Sequence, residues 1–371
     1  MFLKGACYMK DLKTLSMEKM KQSEKKALNI KNAEIFDLNY TPNKIYVRDE
    51  LEEVAEQIGD YLSMNVQNHI LVYGSKGSGK TVSILSLIKS FKELNRDMKS
   101  FYISVREFST SYKIYQKMSG IMKRGLSISD VRKEALEKMK EKTILVLDEV
   151  DFLKDLDVLY HICRSTKSNL VLLTQKIHWY KEIRDESIKS SMQPTQILFK
   201  EYNSNEIYEI LKMRAEDGLY RWREEALKLM SALVTRDYNS DTRIGIKALF
   251  KLGVKNSWED DHIYEGLKEA SKEVEGETVQ NLRDMDLIIL HSLIKYNETN
   301  KAYTYALKSL DNYRGYSVSK THFFRIINYL QNIGLLSLIK KRIGRYYTSE
   351  VQILLSDPTI VKREIQIRME V

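Results

Sequence analysis

One stretch of eight residues, Gly74-Ser75-Lys76-Gly77-Ser78-Gly79-Lys80-Thr81, restricts what this chain can fold into more than any other feature. Its glycines let backbone N–H groups close around phosphate oxygens, and a helix starting at the loop points its positive end at the same oxygens. That chemistry requires a strand before the loop and a helix after it. The flanks supply both. HILVY, residues 69–73, is an apolar run of strand length, and VSILSLIKSF, residues 82–91, spaces Ile84, Leu85, Leu87, Ile88 and Phe91 as a helix does. A glycine-rich turn without function is the plain alternative, and this setting argues against it. The loop is therefore expected to hold a nucleoside triphosphate, ATP or its product ADP, with Mg²⁺. Lys80 would reach the β- and γ-phosphates and the Thr81 hydroxyl would take one metal position.

Four further apolar runs of strand length follow at residues 100–105, 143–147, 169–174 and 195–199, separated by helical patterns. Strands alternating with helices predict an α/β domain with a parallel five-stranded sheet covered on both faces. Before the loop, Leu51, Val54, Ala55, Ile58 and Leu62 predict an amphipathic helix. After Glu201 the strand signal stops and four helical patterns, at 205–219, 223–235, 242–254 and 258–274, predict a small helical lid domain. A polar break at 275–278, EGET, precedes helices at 286–296, 302–313 and 319–332 and then a hairpin about Gly344. The expected division is a basic, partly ordered extension (1–38), the nucleotide-binding domain (39–200), the lid (201–275) and a C-terminal winged helix (276–371). A chain of 371 residues is long enough for two or three such units.

The second chemical element is TILVLDEVD, residues 143–151, an apolar strand ending in adjacent carboxylates. At the carboxyl edge of a parallel sheet, Asp148 can hold hydrated Mg²⁺ and Glu149 can polarise a water for attack on the γ-phosphate. This pairing of loop and acidic strand, followed by a helical domain, resembles the AAA+ ATPases, and more narrowly the Orc1/Cdc6 replication initiators found in archaea. The resemblance covers residues 38 to about 275 and implies further site residues. Arg48 and Glu50, in TPNKIYVRDELEEVAEQI, occupy the places of the family's Arg-x-Glu element beside the adenine. Thr174 and Gln175 stand where the family has a Ser-Asn sensor of the γ-phosphate. Arg243, in Asp241-Thr242-Arg243, matches the second sensor arginine that reaches the phosphates. In DESIKSSMQP, Ser187 falls where the family carries an arginine.

Helix, helix, helix and hairpin make a winged helix, which reads a DNA major groove with its third helix. Lys320, Thr321, His322 and Arg325 near the start of that helix are the expected base and phosphate contacts. Lys340, Lys341, Arg342 and Arg345 at the wing tip suit phosphates or the adjacent minor groove. The Orc1/Cdc6 resemblance also implies a DNA-touching insertion at 108–142, where Lys113, Lys117, Lys123 and Arg124 supply donors. Ordinary exposed helix charge accounts for those four equally well.

The net charge of +9 is uneven: +5 over residues 1–31, −2 over 32–279 and +6 over 280–371. Basic ends flanking a near-neutral centre suit an anionic polymer, although lysine-rich ends also simply favour solubility. No apolar run approaches the roughly 20 residues of a membrane span. Two distant cysteines, Cys7 and Cys163, predict neither a disulfide framework nor a zinc site, and a cytoplasmic, nucleoid-associated protein without membrane contact is expected. The Orc1/Cdc6 resemblance implies a slow ATPase that binds origin double-stranded DNA, acts beside a related initiator protomer and helps recruit the replicative helicase. A clamp-loader-like or motor ATPase, or a transcription regulator with weak ATPase, remains open from sequence alone.

Overall fold

A computed structural model of the chain describes residues 12–26, 28–121, 125, 127–139, 142–343 and 346–369, in two compact units. The larger joins residues 47–201 to 271–371; the smaller joins the chain up to Tyr46 to residues 202–270.

The larger unit is built on five parallel strands: β1 (Ile70–Gly74), β2 (Lys99–Ser104), β3 (Thr143–Asp148), β4 (Asn169–Thr174) and β5 (Thr195–Phe199). Their order is β2-β3-β4-β1-β5. Every residue of β3 and β4 is buried, which is why these strands read as continuous apolar runs rather than alternating ones. Helices α2 (Asp49–Met64), α3 (Lys80–Leu94), α4 (Ser111–Ser119), α5 (Ile128–Lys138), α6 (Asp157–Ser165), α7 (Trp179–Glu182) and α8 (Glu186–Met192) belong to this layer. Buried Tyr61 pins α2 to the sheet, its hydroxyl donating to the Lys167 carbonyl at 2.9 Å and accepting from the Thr143 N–H at 2.9 Å. Because all five strands run the same way, Gly74, Ser104, Asp148, Thr174 and Phe199 finish along one rim.

The same unit carries a three-helix and hairpin module. It comprises α13 (Asp284–Lys295), α14 (Thr299–Arg314), α15 (Lys320–Asn332), and the antiparallel strands β6 (Leu336–Ile343) and β7 (Tyr346–Ile353). Phe323, Ile327 and Leu330 of α15 are buried in its core with Leu336 and Val351. Ser319 caps α15, accepting from the His322 N–H at 3.2 Å, and Gly334 in the left-handed region (φ 76°) follows its end. A last helix, α16 (Thr359–Met369), was not expected from sequence. It is tied down by Arg368, which donates to the Leu282 carbonyl at 2.7 Å and to Asp284 at 3.2 Å.

The smaller unit contains α1 (Leu12–Lys26), α9 (Ser204–Gly218), α10 (Glu224–Asp237), α11 (Thr242–Lys255) and the first half of α12 (Asp260–Gln280). Two expectations change. The polar EGET stretch does not break the chain, since α12 continues to Gln280 and the unit boundary falls inside it. Buried Val274 and Val279 carry its apolar face across the stretch, and Thr278 satisfies its hydroxyl on the Val274 carbonyl at 2.9 Å. Nor is the whole of 1–38 an extension. Asn29 exchanges two hydrogen bonds with the Arg221 backbone (2.8 and 2.7 Å), Ile30 bridges to Leu219, and buried Phe36 lies 5.5 Å from Phe250. Gly218 makes room for this, because a side chain there would meet the Phe36 ring at 2.5 Å. Among the described residues no helix is long and apolar enough to cross a membrane.

Candidate functional site

The loop between β1 and α3 has the backbone that its glycines permit. Gly77 and Gly79 lie in the left-handed region at φ 83° and 78°. Gly74 is required for a different reason: a Cβ there would sit 2.2 Å from the Phe199 carbonyl oxygen of the neighbouring strand. The Lys80 ammonium lies inside the loop, donating to the carbonyls of Gly74 (2.8 Å) and Ser75 (2.7 Å). Ser78 Oγ closes the turn on the Ser75 carbonyl at 2.9 Å, and Lys76 reaches the Thr278 hydroxyl of α12 at 2.9 Å. Ser75 Oγ is buried without a hydrogen-bond partner among the described residues, a donor left for something outside the chain.

Parallel pairing of β3 with β4, and of β1 with β4, brings the acidic strand end to this loop. The Thr81 hydroxyl donates to Asp148 Oδ2 at 2.8 Å. Tyr102, unanticipated from sequence, donates to the same oxygen at 3.0 Å, and partial desolvation followed by the Asp148 charge pushes its phenol upward. Glu149 takes left-handed backbone (φ 56°, ψ 48°), and both its carboxylate oxygens accept from Arg106, at 3.0 and 2.9 Å. Asp151 accepts from the Thr174 hydroxyl (2.7 Å) and the Gln175 N–H (3.1 Å), fixing the end of β4 on which Gln175 sits. Lys80, Thr81, Asp148, Glu149 and Gln175 are thus brought to one rim of the sheet.

Arg48 is buried and fully engaged. It forms a bidentate pair with Glu50 (3.0 and 3.1 Å), donates to the carbonyls of Ser78 (3.3 Å) and Lys200 (2.7 Å), and lies over the Phe199 ring at 4.9 Å. Its position is that of a clamp between the loop and β5. Arg243 is in the smaller unit, at the start of α11, where its guanidinium is paired with the capping residue Asp241. Ser187 is exposed in the first turn of α8, under the Asp185 cap.

Of the expected DNA contacts, Lys320, Thr321 and Arg325 are exposed on α15 and His322 is partly buried. Asn328 is also exposed, at i+3 from Arg325 along the same helix. Lys340, Lys341 and Arg342 lie on β6. On α4, Lys113 and Lys117 are exposed opposite buried Ile114 and Met118, and Lys117 lies 5.3 Å from the Phe108 ring centre. Lys123, Arg124 and Arg345 lie outside the described residues.

A family model described as an AAA domain matches residues 64–178, which contain the loop, Asp148, Glu149 and Gln175. Fold and site together define residues 64–178 as a nucleotide-binding P-loop domain of the AAA type. The chain resembles the Orc1/Cdc6 proteins in particular, and over nearly its whole length. ORC1-type DNA replication protein 1 of Sulfurisphaera tokodaii is 26% identical, covering 90% of this chain and 92% of that protein. Among solved structures, the Aeropyrum pernix ORC1 protein in complex with DNA matches with a TM-score of 0.74 at 21% identity, covering 92% of this chain and 97% of that one. The Aeropyrum pernix ORC2 protein, in ADPNP–ADP complexes, matches at 0.59 and 20% identity, covering 92% and 100%. These structural likenesses establish the α/β sheet domain, helical domain and winged helix as the fold.

Proposed function

We propose that this chain is an ATP-dependent initiator of DNA replication that binds origin double-stranded DNA through its winged helix and uses ATP as a slowly hydrolysed switch. The observation that carries this reading is the presence of the phosphate-binding loop and the winged helix within one compact unit. Support comes also from the full-length likeness to ORC1-type replication proteins and from the DNA held by the Aeropyrum pernix ORC1 protein.

At the nucleotide, loop N–H groups and Lys80 would neutralise the phosphates while Glu149 would orient the attacking water. The Thr81 hydroxyl and Asp148 carboxylate, 2.8 Å apart, are hard oxygen donors of the kind Mg²⁺ takes. No cluster of three His, Cys, Asp or Glu among the described residues forms a protein-only cage, which fits an ion completed by phosphates and water. Thr81 and Asp148 would hold Mg²⁺, which when bound would offset the negative charge of the phosphates. Slow turnover is supported by Glu149, both of whose carboxylate oxygens are held by Arg106 rather than turned toward an attacking water.

On DNA, Thr321, Arg325 and Asn328 would face base edges, and Lys320 and the basic wing would hold phosphates. A related initiator protomer and the replicative helicase are the proposed protein partners, at the nucleoid in the cytoplasm. The nucleotide half is tested by Lys80→Ala. Loss of ATP binding with unchanged thermal unfolding of the ligand-free protein supports the site. Retained binding and hydrolysis would overturn it.

A further inference from the structure

The turn after β3 touches the winged helix. Arg106, which holds Glu149, stacks its guanidinium 4.6 Å from the centre of the Phe152 ring. Phe152 meets the ring of Tyr329 edge to face, at 5.6 Å and 79°. Tyr329 lies on α15, one turn after exposed Arg325 and beside exposed Asn328. Three side chains, Tyr329, Phe152 and Arg106, therefore connect α15 to Glu149. Burial pushes the Tyr329 phenol upward, and the charges of Arg106 and Glu149 also act on it, which places all three groups in one electrostatic neighbourhood.

Glu149 has two features that make it sensitive to such a contact. Its left-handed backbone is one that a non-glycine residue keeps only when its surroundings hold it there. Its side chain is only partly exposed, at 25%, and Arg106 bonds to both carboxylate oxygens, so the aim of the side chain is set by Arg106. Arg106 in turn is held on its other face by Phe152. A shift of α15 moves the ring against which Phe152 rests.

We propose that Tyr329 is a positioning residue for ATP hydrolysis: through Phe152 it keeps Arg106 on Glu149, and drawing α15 onto DNA releases that hold. This rests on reading α15 as the DNA-contacting helix. Hydrolysis is then slow in the free protein and faster on duplex DNA.

The test uses the full chain, with steady-state ATPase measured with and without duplex DNA and DNA affinity measured separately by fluorescence anisotropy. Tyr329→Ala should raise kcat of the free protein by roughly threefold to tenfold, or about 0.7–1.4 kcal/mol, the size of one aromatic contact. KM for ATP should stay unchanged and added DNA should give no further rise. Tyr329→Phe keeps the ring and should behave as the unsubstituted protein does. Phe152→Leu attacks the contact from the sheet side and should repeat the Tyr329→Ala result, which guards against a winged helix that merely unfolds. An unchanged kcat in folded Tyr329→Ala and Phe152→Leu, or full DNA stimulation of either, overturns the coupling. Failure of the unsubstituted protein to bind any duplex instead overturns the reading of α15, and would appear in the anisotropy alone.

Discussion

Replacing Arg48 by alanine separates two roles for the residue, a prop behind the phosphate loop or a contact with the nucleotide. Its side chain is 4% exposed and that of Glu50 is 19%. Removing the arginine strands the carboxylate, frees the carbonyls of Ser78 and Lys200, and uncovers Phe199. Deleting one partner of a buried pair costs about 3–5 kcal/mol, and the residual solvent contact of Glu50 puts the expected loss near the lower figure, about 3 kcal/mol. For a unit of this size that is a fall of about 6–12 °C in the unfolding midpoint. ATP affinity should fall roughly tenfold, about 1.4 kcal/mol, because the turn at Ser78 loses its anchor. Arg48→Lys keeps the charge without the planar fork and should recover less than half of the loss. Thermal unfolding followed by tryptophan fluorescence, and ATP titration by calorimetry, measure both effects. An unaltered midpoint together with abolished ATP binding would refute the clamp and make Arg48 a direct nucleotide contact.

Two further outcomes follow from the structure. Burial holds the His69 imidazole down to about 4, with its Nδ1 accepting from the Leu170 N–H at 3.2 Å. The unfolded chain then binds the extra proton between pH 6.5 and 4, so this contribution is full above pH 6.5 and is lost as pH falls toward 4, by up to about 3 kcal/mol. Urea unfolding at pH 7, 5.5 and 4.5 should show a shallower acid slope for His69→Gln; equal slopes would contradict the assignment. Arg325→Ala should leave stability within about 0.5 kcal/mol while lowering the salt slope of DNA binding by about one unit, and an unchanged slope would remove Arg325 from the phosphate contacts.

Residues whose surroundings are made by neighbouring sequence were legible; those made by distant strands were not. The five strands could be read because burial on both faces leaves runs such as TILVLD, and the loop because glycine spacing reports its chemistry directly. Tyr102 and Arg106 gave no local signal. They reach the site because Ser104 pairs with Asp148, which sets the end of β2 beside Asp148 and Glu149, and that register exists only in the folded sheet. Arg48 stands out in sequence through its Arg-x-Glu setting, but its satisfaction by the carbonyls of Ser78 and Lys200 does not. The EGET stretch misled because polar composition suggests a break, whereas buried Val274 and Val279 keep α12 intact. Helix α16 was missed because its anchor, Arg368, looks like any other surface cation until Leu282 and Asp284 come beside it.

Replication initiation depends on binding at particular duplex sites, so footprinting the purified chain across a library of its own genome, with and without ATP, is the most direct test. An ATP-dependent initiator protects a few discrete intergenic duplex sites from which replication starts, and Arg325→Ala weakens that protection. Uniform protection along all fragments, or occupancy confined to promoters, would contradict it.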